Sequence, residues 1–189
     1  MTLKSKSYFS SSRVLGFLRD LNLKKKISVE KISLQELNEW QISTEGCLSH
    51  QTGRFFSVVG CDIGNIQQPF LLQKDIGILG FLRRKIGSEY SYLFQLKIEP
   101  GNINNIQLSP TVQATSSNYQ RAHKGGKTKH LEFFKNNAEN IIFDVKQNEQ
   151  GFRYIEKYNR NMMVELQNDI ELDDNFIWIN LKTIKNLLK

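Results

Sequence analysis

Two cysteines, three prolines and three histidines are all this chain holds of the residue types that most often announce a site or a framework. Cys47 and Cys61 form no CxxC pair and no metal spacing. A disulfide scaffold is therefore excluded as the organising principle. Both thiols read as small buried hydrophobes in a reducing compartment, the cytoplasm. His50, His123 and His130 stand far apart and do not pair at helical ligand spacing, so no metal site is expected. No apolar run approaches the roughly 20 residues of a membrane span. The N-terminus lacks the apolar core of a secretory signal. GxGxxG, GxxxxGK[ST] and GxSxG are missing, which removes the recognisable dinucleotide cradle, the P-loop and the hydrolase elbow. Aromatic residues make up 11% of the chain but fall at strand parity, not between basic residues, so a stacking platform for nucleic acid has little support.

At 189 residues the chain suits one domain with a substantial core. Its hydrophobic and charged fractions, 39% and 24%, are those of an ordinary globular protein. The net charge of +7 is unevenly placed: Lys4, Lys6, Arg13, Arg19, Lys24, Lys25 and Lys26 face Asp20 alone in the first 26 residues. That arm is either a solvated segment or a patch for phosphate-rich partners. The organisation expected is a basic arm and helix over 1–30, then a single module over 31–189.

Arg13 to Leu23 has apolar residues near helical spacing behind Ser12, and predicts a helix. Ser33-Leu34-Gln35-Glu36 reads as a capping box opening a second helix through Trp40. From Arg54 the period changes to that of strands, in RFFSVVGCDI, QPFLLQ, GILGFLRR and EYSYLFQLKIE. The alternation Tyr90/Tyr92/Phe94/Leu96/Ile98 puts one apolar face on a sheet. A short helix is expected within Lys129 to Lys135. Strands are expected over Asn140 to Gln147, Phe152 to Tyr158 and Met162 to Leu166. Asn180 would cap a last helix burying Leu181, Ile184, Leu187 and Leu188. The fold class is α+β: a mixed or antiparallel sheet with helices at both ends of the chain.

In mid-chain, Gln107 to Gly126 reads QLSPTVQATSSNYQRAHKGG, and no Asp or Glu occurs between Glu99 and Glu132. A polar, acid-free, cationic run is poor core material and a good lining for an anionic ligand, unless it is a solvated loop. As one strand, it would point Gln107, Ser109, Thr111, Gln113 and Thr115 the same way. Two more polar groups close predicted strands: Glu99 to Asn102, and Gln147 to Gly151 followed by Asn159 to Met162. Polar groups gathered at strand ends are a common way to build a site, and turn chemistry explains Asn159 and Asn161 equally well.

Several long stretches resemble, in order, the NDP-hexose 2,3-dehydratase family of deoxysugar biosynthesis: SHQTGRFFSVVG, QKDIGILGFL, QLKIEPGNINNIQLSPTVQATSSNYQRAHKG, HLEFF, DVKQNEQGFRYIEKYNRNMMVE and NFIWINLKTIKNLL. The resemblance runs from Trp40 to Leu188. It implies a Nudix-like fold without hydrolase function, and a lyase acting on a dTDP-linked 4-keto-6-deoxyhexose. Loss of water across C2 and C3 would give an enol, then a 3,4-diketo sugar for a partner 3-ketoreductase. No redox cofactor is implied. Members of the family carry two related modules, so a single module here suggests a homodimer. Neither membrane nor nucleic acid is an expected partner. A non-catalytic nucleotide-sugar-binding module and a small basic nucleic-acid-binding domain are the rival readings.

The chemistry needs a base for the C3 proton, a proton donor, and hydrogen-bond donors at O4. On the family-like motifs, His123 is a candidate base or acid, or else a surface histidine. Tyr119 is a donor to O4 or to the departing hydroxyl, or an aromatic packed on the sheet. Glu99 and Glu149 are alternative bases, or structural ion-pair partners. Arg121 and Arg160 suit a diphosphate, with Lys124 a weaker ligand. Gln107, Ser109, Thr111 and Gln113 would read sugar hydroxyls or the base edge, and Asn159 would join them. Trp40 would stack on the thymine, or sit buried in its helix.

Overall fold

The computed structural model describes residues 8–25, 27–115, 127–135 and 140–189. Helix α1 (Ser11–Lys24) begins two residues earlier than the pattern suggests, because the Ser10 hydroxyl, not that of Ser12, accepts from the Arg13 amide at 3.4 Å. The capping box at Ser33 forms, yet it supports only a single 3-10 turn over Leu34–Glu36. Trp40 therefore opens a strand and does not close a helix: the apolar Leu34 after the cap is exposed and no residue of the turn is buried, so no packing holds a longer helix.

Strands β1 (Trp40–Ile42), β2 (Leu48–His50), β3 (Ser57–Asp62), β4 (Gln67–Leu72) and the short β10 (Tyr154–Ile155) form a five-stranded sheet in the order β1-β2-β3-β4-β10. The larger sheet has the central order β12-β6-β5-β11-β9. It contains β5 (Gly77–Ile86), β6 (Glu89–Ile98), β9 (Ile141–Asn148), β11 (Tyr158–Glu165) and β12 (Phe176–Asn180). Strand β11 runs parallel to β5 and antiparallel to β9. The two later described helices are α2 (Glu132–Lys135) and α3 (Leu181–Leu187), and the α+β class holds.

The continuous apolar run of β12 explains how the large sheet is covered, since a strand with both faces buried does not alternate. Phe176 and Trp178 face a core with Leu82, Leu93, Met162, Val164 and Phe134. Ile177 and Ile179 face the other side, where Phe9, Val14 and Leu96 pack. Strand β6 divides its neighbours likewise. Phe94, Leu96 and Ile98 turn to the α1 side, and Leu93 to the opposite core. Tyr90 departs from the expected apolar face: it is 40% exposed, with the Arg83 guanidinium over its ring at 4.4 Å. Asn180 caps α3, its Oδ1 accepting from the Thr183 amide at 2.9 Å. Ile184 and Leu187 join the core there, but Leu181, at the first position of the helix, and Leu188, just past its end, are exposed.

Strands β5 and β6 pair only near their hairpin, from Arg83↔Tyr92 to Ile86↔Glu89, and then diverge. Into that fork run β7 (Ile106–Ser109), paired to β6, and β8 (Val112–Ala114), paired to β5. Pro110 separates them, since it has no amide to give a ladder. At the apex the buried Thr111 hydroxyl accepts from the Leu82 amide at 3.0 Å and donates to the Leu93 carbonyl. One side chain thus joins β5 to β6 where their own pairing stops.

Candidate functional site

A cavity of about 220 Å³ lies at the mouth of the fork, between the two sheets. Lys97 and Glu99 come from the end of β6, Gly77 and Leu79 from β5, and Gln113, Ala114 and Thr115 from the end of β8. Gln73 and Tyr154 come from the small-sheet side, Glu149 and Lys157 from the turn joining β9 to β11, and Asn159 from the start of β11.

That turn is tied down at several points. The Glu149 amide donates to the Lys157 carbonyl at 2.8 Å, and the Leu71 amide to the Arg153 carbonyl at 2.7 Å. Glu156, at φ 49°, turns the chain from β10 in one sheet to β11 in the other. The Asn159 amide nitrogen donates to Glu149 Oε2, which fixes the carboxylate. Asn159 is itself only 8% exposed, and it lies against Gly77. A Cβ at Gly77 would meet Asn159 Oδ1 at 2.8 Å, so glycine is required for this approach.

The cavity carries both signs of charge. Lys97 and Glu99 form an ion pair at 2.7 Å. Lys157 is buried and donates from Nζ to the Asp75 carbonyl. Burial holds its ammonium below the usual lysine range, with the Asp75 and Glu149 carboxylates pulling the other way. Among the described residues no group of three or more His, Cys, Asp or Glu could hold a metal ion. No helix among them is long and apolar enough to cross a membrane.

Of the residues singled out from the sequence, Glu99, Gln113, Glu149 and Asn159 are brought together here. Tyr119, Arg121, His123 and Lys124 lie outside the described residues. The single face proposed for Gln107 to Thr115 does not exist, because the break at Pro110 changes which strand the segment pairs with. Gln107 is exposed on β7. The buried Ser109 hydroxyl donates to the Gln95 carbonyl at 3.4 Å and the Pro110 carbonyl at 3.2 Å. Thr111 is spent on the β5–β6 join. Arg160 has the opposite parity to Asn159, and its guanidinium holds the Asp144 carboxylate across the β9–β11 ladder. Trp40 packs in the small sheet with His50, Phe55 and Phe56, at centroid distances of 5.5, 5.9 and 5.0 Å.

Sequence reasoning missed Lys97, Lys157, Tyr154, Gln73 and Gly77. Two signals were available. Lys157 and Asn159 are two apart, so strand parity gives them one face. Gly77 and Gly80 interrupt a strand, which marks close approach of a neighbour.

The profile described as NDP-hexose 2,3-dehydratase matches residues 11–189. The chain is 40% identical over 184 residues to a dTDP-4-dehydro-6-deoxy-alpha-D-glucopyranose 2,3-dehydratase of Amycolatopsis orientalis, covering 90% of this chain and 38% of that one. The protein of the same description from Saccharopolyspora spinosa is 38% identical, with 84% and 35% covered. That from Streptomyces violaceoruber is 34% identical, with 85% and 39% covered. The chain thus spans less than two fifths of the length of these relatives. Among solved structures, the T. brucei MERS1 protein in its apo form aligns at 15% identity over 62% of each chain, with a TM-score of 0.38. The C. elegans Ap4A hydrolase aligns at 12% identity over 61% of this chain and 86% of its own, with a TM-score of 0.35. Superpositions so partial assign nothing, and the profile together with the curated relatives decides the matter: the chain belongs to the NDP-hexose 2,3-dehydratase family.

Proposed function

We propose that this chain is a hydro-lyase that eliminates water across C2 and C3 of a dTDP-linked 4-keto-6-deoxyhexose. The 4-keto group acidifies the C3 hydrogen. Glu149 takes that proton, the C2 hydroxyl leaves, and the enol product becomes a 3,4-diketo-2,6-dideoxy sugar. Such a product needs a reduction at C3, so a 3-ketoreductase is the enzyme class that consumes it. The reaction is redox-neutral and calls on no redox cofactor.

The observation that supports this reading is the Glu149–Asn159 pair at the cavity. A carboxylate held by a buried amide has one orientation before substrate arrives, as a general base requires. Glu99, already paired to Lys97, is better suited to positioning than to proton transfer. Tyr119 and His123 keep the proton-donor roles expected of them, and Arg121 and Lys124 the diphosphate. A homodimer remains part of the proposal, and light scattering showing only a fully active 22.0 kDa monomer would remove it.

The test is to incubate the purified chain with the 4-keto sugar nucleotide and follow water loss by mass spectrometry, trapping the diketone. Substrate bound but unchanged, with or without a reductase, would sink the enzyme reading and leave a nucleotide-sugar-binding module.

A further inference from the structure

Lys157 sits in the cavity wall, and its residue is only 5% exposed. Burying an ammonium costs several kcal/mol unless its protons and charge are matched. The bond to the Asp75 carbonyl uses one of three protons. The other lysine of the cavity, Lys97, is taken up by Glu99 at 2.7 Å. Lys157 and Glu149 are the two ends of one turn, joined by the 2.8 Å bond between their backbones. Cation and carboxylate therefore keep a fixed relation across the same hollow. Asp75, Lys97, Glu99, Glu149 and Tyr154 are the titratable residues around it.

We infer that Lys157 is a catalytic residue of the dehydration proposed above, on which this inference rests: it is the cation that receives the charge developing on O4. The C3–H bond breaks, its proton passes to Glu149, and its electrons move through C3–C4 onto O4. Lys157 donates a hydrogen bond to that oxygen. When the charge returns, the C4 carbonyl reforms, the C2=C3 bond forms, and the C2–O bond breaks. The hydroxide leaves as water on a proton from the site's donor, which the proton held by Glu149 then restores, so atoms and electrons balance. A preorganised cation in a partly dry site contributes more here than at an exposed surface. The lowered lysine range also lets the ammonium share its proton more readily than an exposed lysine would.

The test compares wild type, Lys157→Met and Lys157→Arg in the full chain. It measures C3 deuterium exchange from solvent, water loss, dTDP affinity and the pH dependence of kcat. Lys157→Met is expected to lose about 10²–10³ in both exchange and elimination, as loss of one oxyanion donor does, with dTDP affinity unchanged. Lys157→Arg should retain part of the rate and lose the alkaline limb of the kcat profile, because a guanidinium does not titrate there. Turnover of Lys157→Met within roughly tenfold of wild type overturns the assignment. So does a fall in dTDP affinity that matches the fall in rate. Should Lys157→Met fail to fold, an unaltered alkaline limb in Lys157→Arg overturns it. Wild type that binds dTDP but neither exchanges nor eliminates defeats the dehydratase reading itself, and this role with it.

Discussion

The two sheets are built from similar residues and differ in what they cover. All five residues of β12 are buried in the large sheet, and core lies on both its faces. In the small sheet only His50 and Phe70 are buried among the strand residues. Most of the hydrophobic stabilisation therefore belongs to one sheet, at roughly 25 cal/mol per Å² of apolar area removed from water. The cavity lies where the thick sheet meets the thin one. Its carboxylate, amide and buried lysine hang from the rigid side, and Gln73 and Tyr154 from the side that opens more easily. Such a junction can hold a reacting group still and yet let a substrate in.

The comparison gives an order of effects. Glu149→Gln should lower kcat by about 10²–10⁴ while leaving the melting temperature near wild type, because the amide keeps the shape of the turn. Near wild-type turnover would move the base elsewhere. Next, Phe134→Ala should cost about 3–5 kcal/mol in denaturant unfolding, since this ring fills the space a Cβ on Gly80 would contest at 2.3 Å. Trp40→Ala, in the thin sheet, should cost clearly less, and equal losses would abolish the distinction between the sheets. Thr111→Val comes third. It leaves the Leu82 amide without its acceptor and should cost about 1–3 kcal/mol, with slowed folding of the fork but unchanged dTDP affinity.

A pH dependence follows from His130, which packs on Phe176 at 4.7 Å in the thick core. Burial lowers its pKa from 6.5, with Glu132 and Asp173 pulling it back up and Lys129 pushing it down. The unfolded chain then binds the proton that the folded chain refuses, so stability falls as pH drops below 6.5 toward the folded value. His130→Phe should flatten that part of the stability curve, and an unchanged slope would assign it to another group. The smallest effect is expected at the Asp144–Arg160 pair, which bridges two strands at partly exposed positions. Its hydrogen bond from Arg160 lowers the Asp144 pKa, so the contribution is present above 3.8 and lost as pH falls through the folded value. Arg160→Ala should change stability by no more than about 1 kcal/mol at neutral pH. If calorimetry finds weaker dTDP binding as well, the guanidinium leaves Asp144 for the diphosphate.

Much of the fold could be read from periodicity, because strand alternation and capping are local. The alternation of Phe94, Leu96 and Ile98 in β6 and the Asn180 cap required no knowledge of distant residues, whereas the strand FIWI was not anticipated. The helix expected to reach Trp40 failed because a cap starts a helix but packing must extend it. Glu99, Gln113, Glu149 and Asn159 were legible as polar residues at strand ends. For Lys157 only the spacing from Asn159 was legible, since a lysine in sequence says nothing of its burial. Ser109 and Thr111 looked like ligands for the reason that makes them good braces: a hydroxyl can satisfy a sugar or a backbone with equal ease.

The chain's residues alone determined the α+β class, the family and the polar segments from which the site is drawn, since all of these depend on near neighbours or long motifs. Tertiary structure decided which polar groups face one another. Divergence of β5 from β6 makes the hollow, the break at Pro110 sends Thr111 inward and leaves Gln113 at the mouth, and Gly77 admits Asn159 to the carboxylate of Glu149. Those relations join residues tens of positions apart, and no local pattern encodes a distance between them.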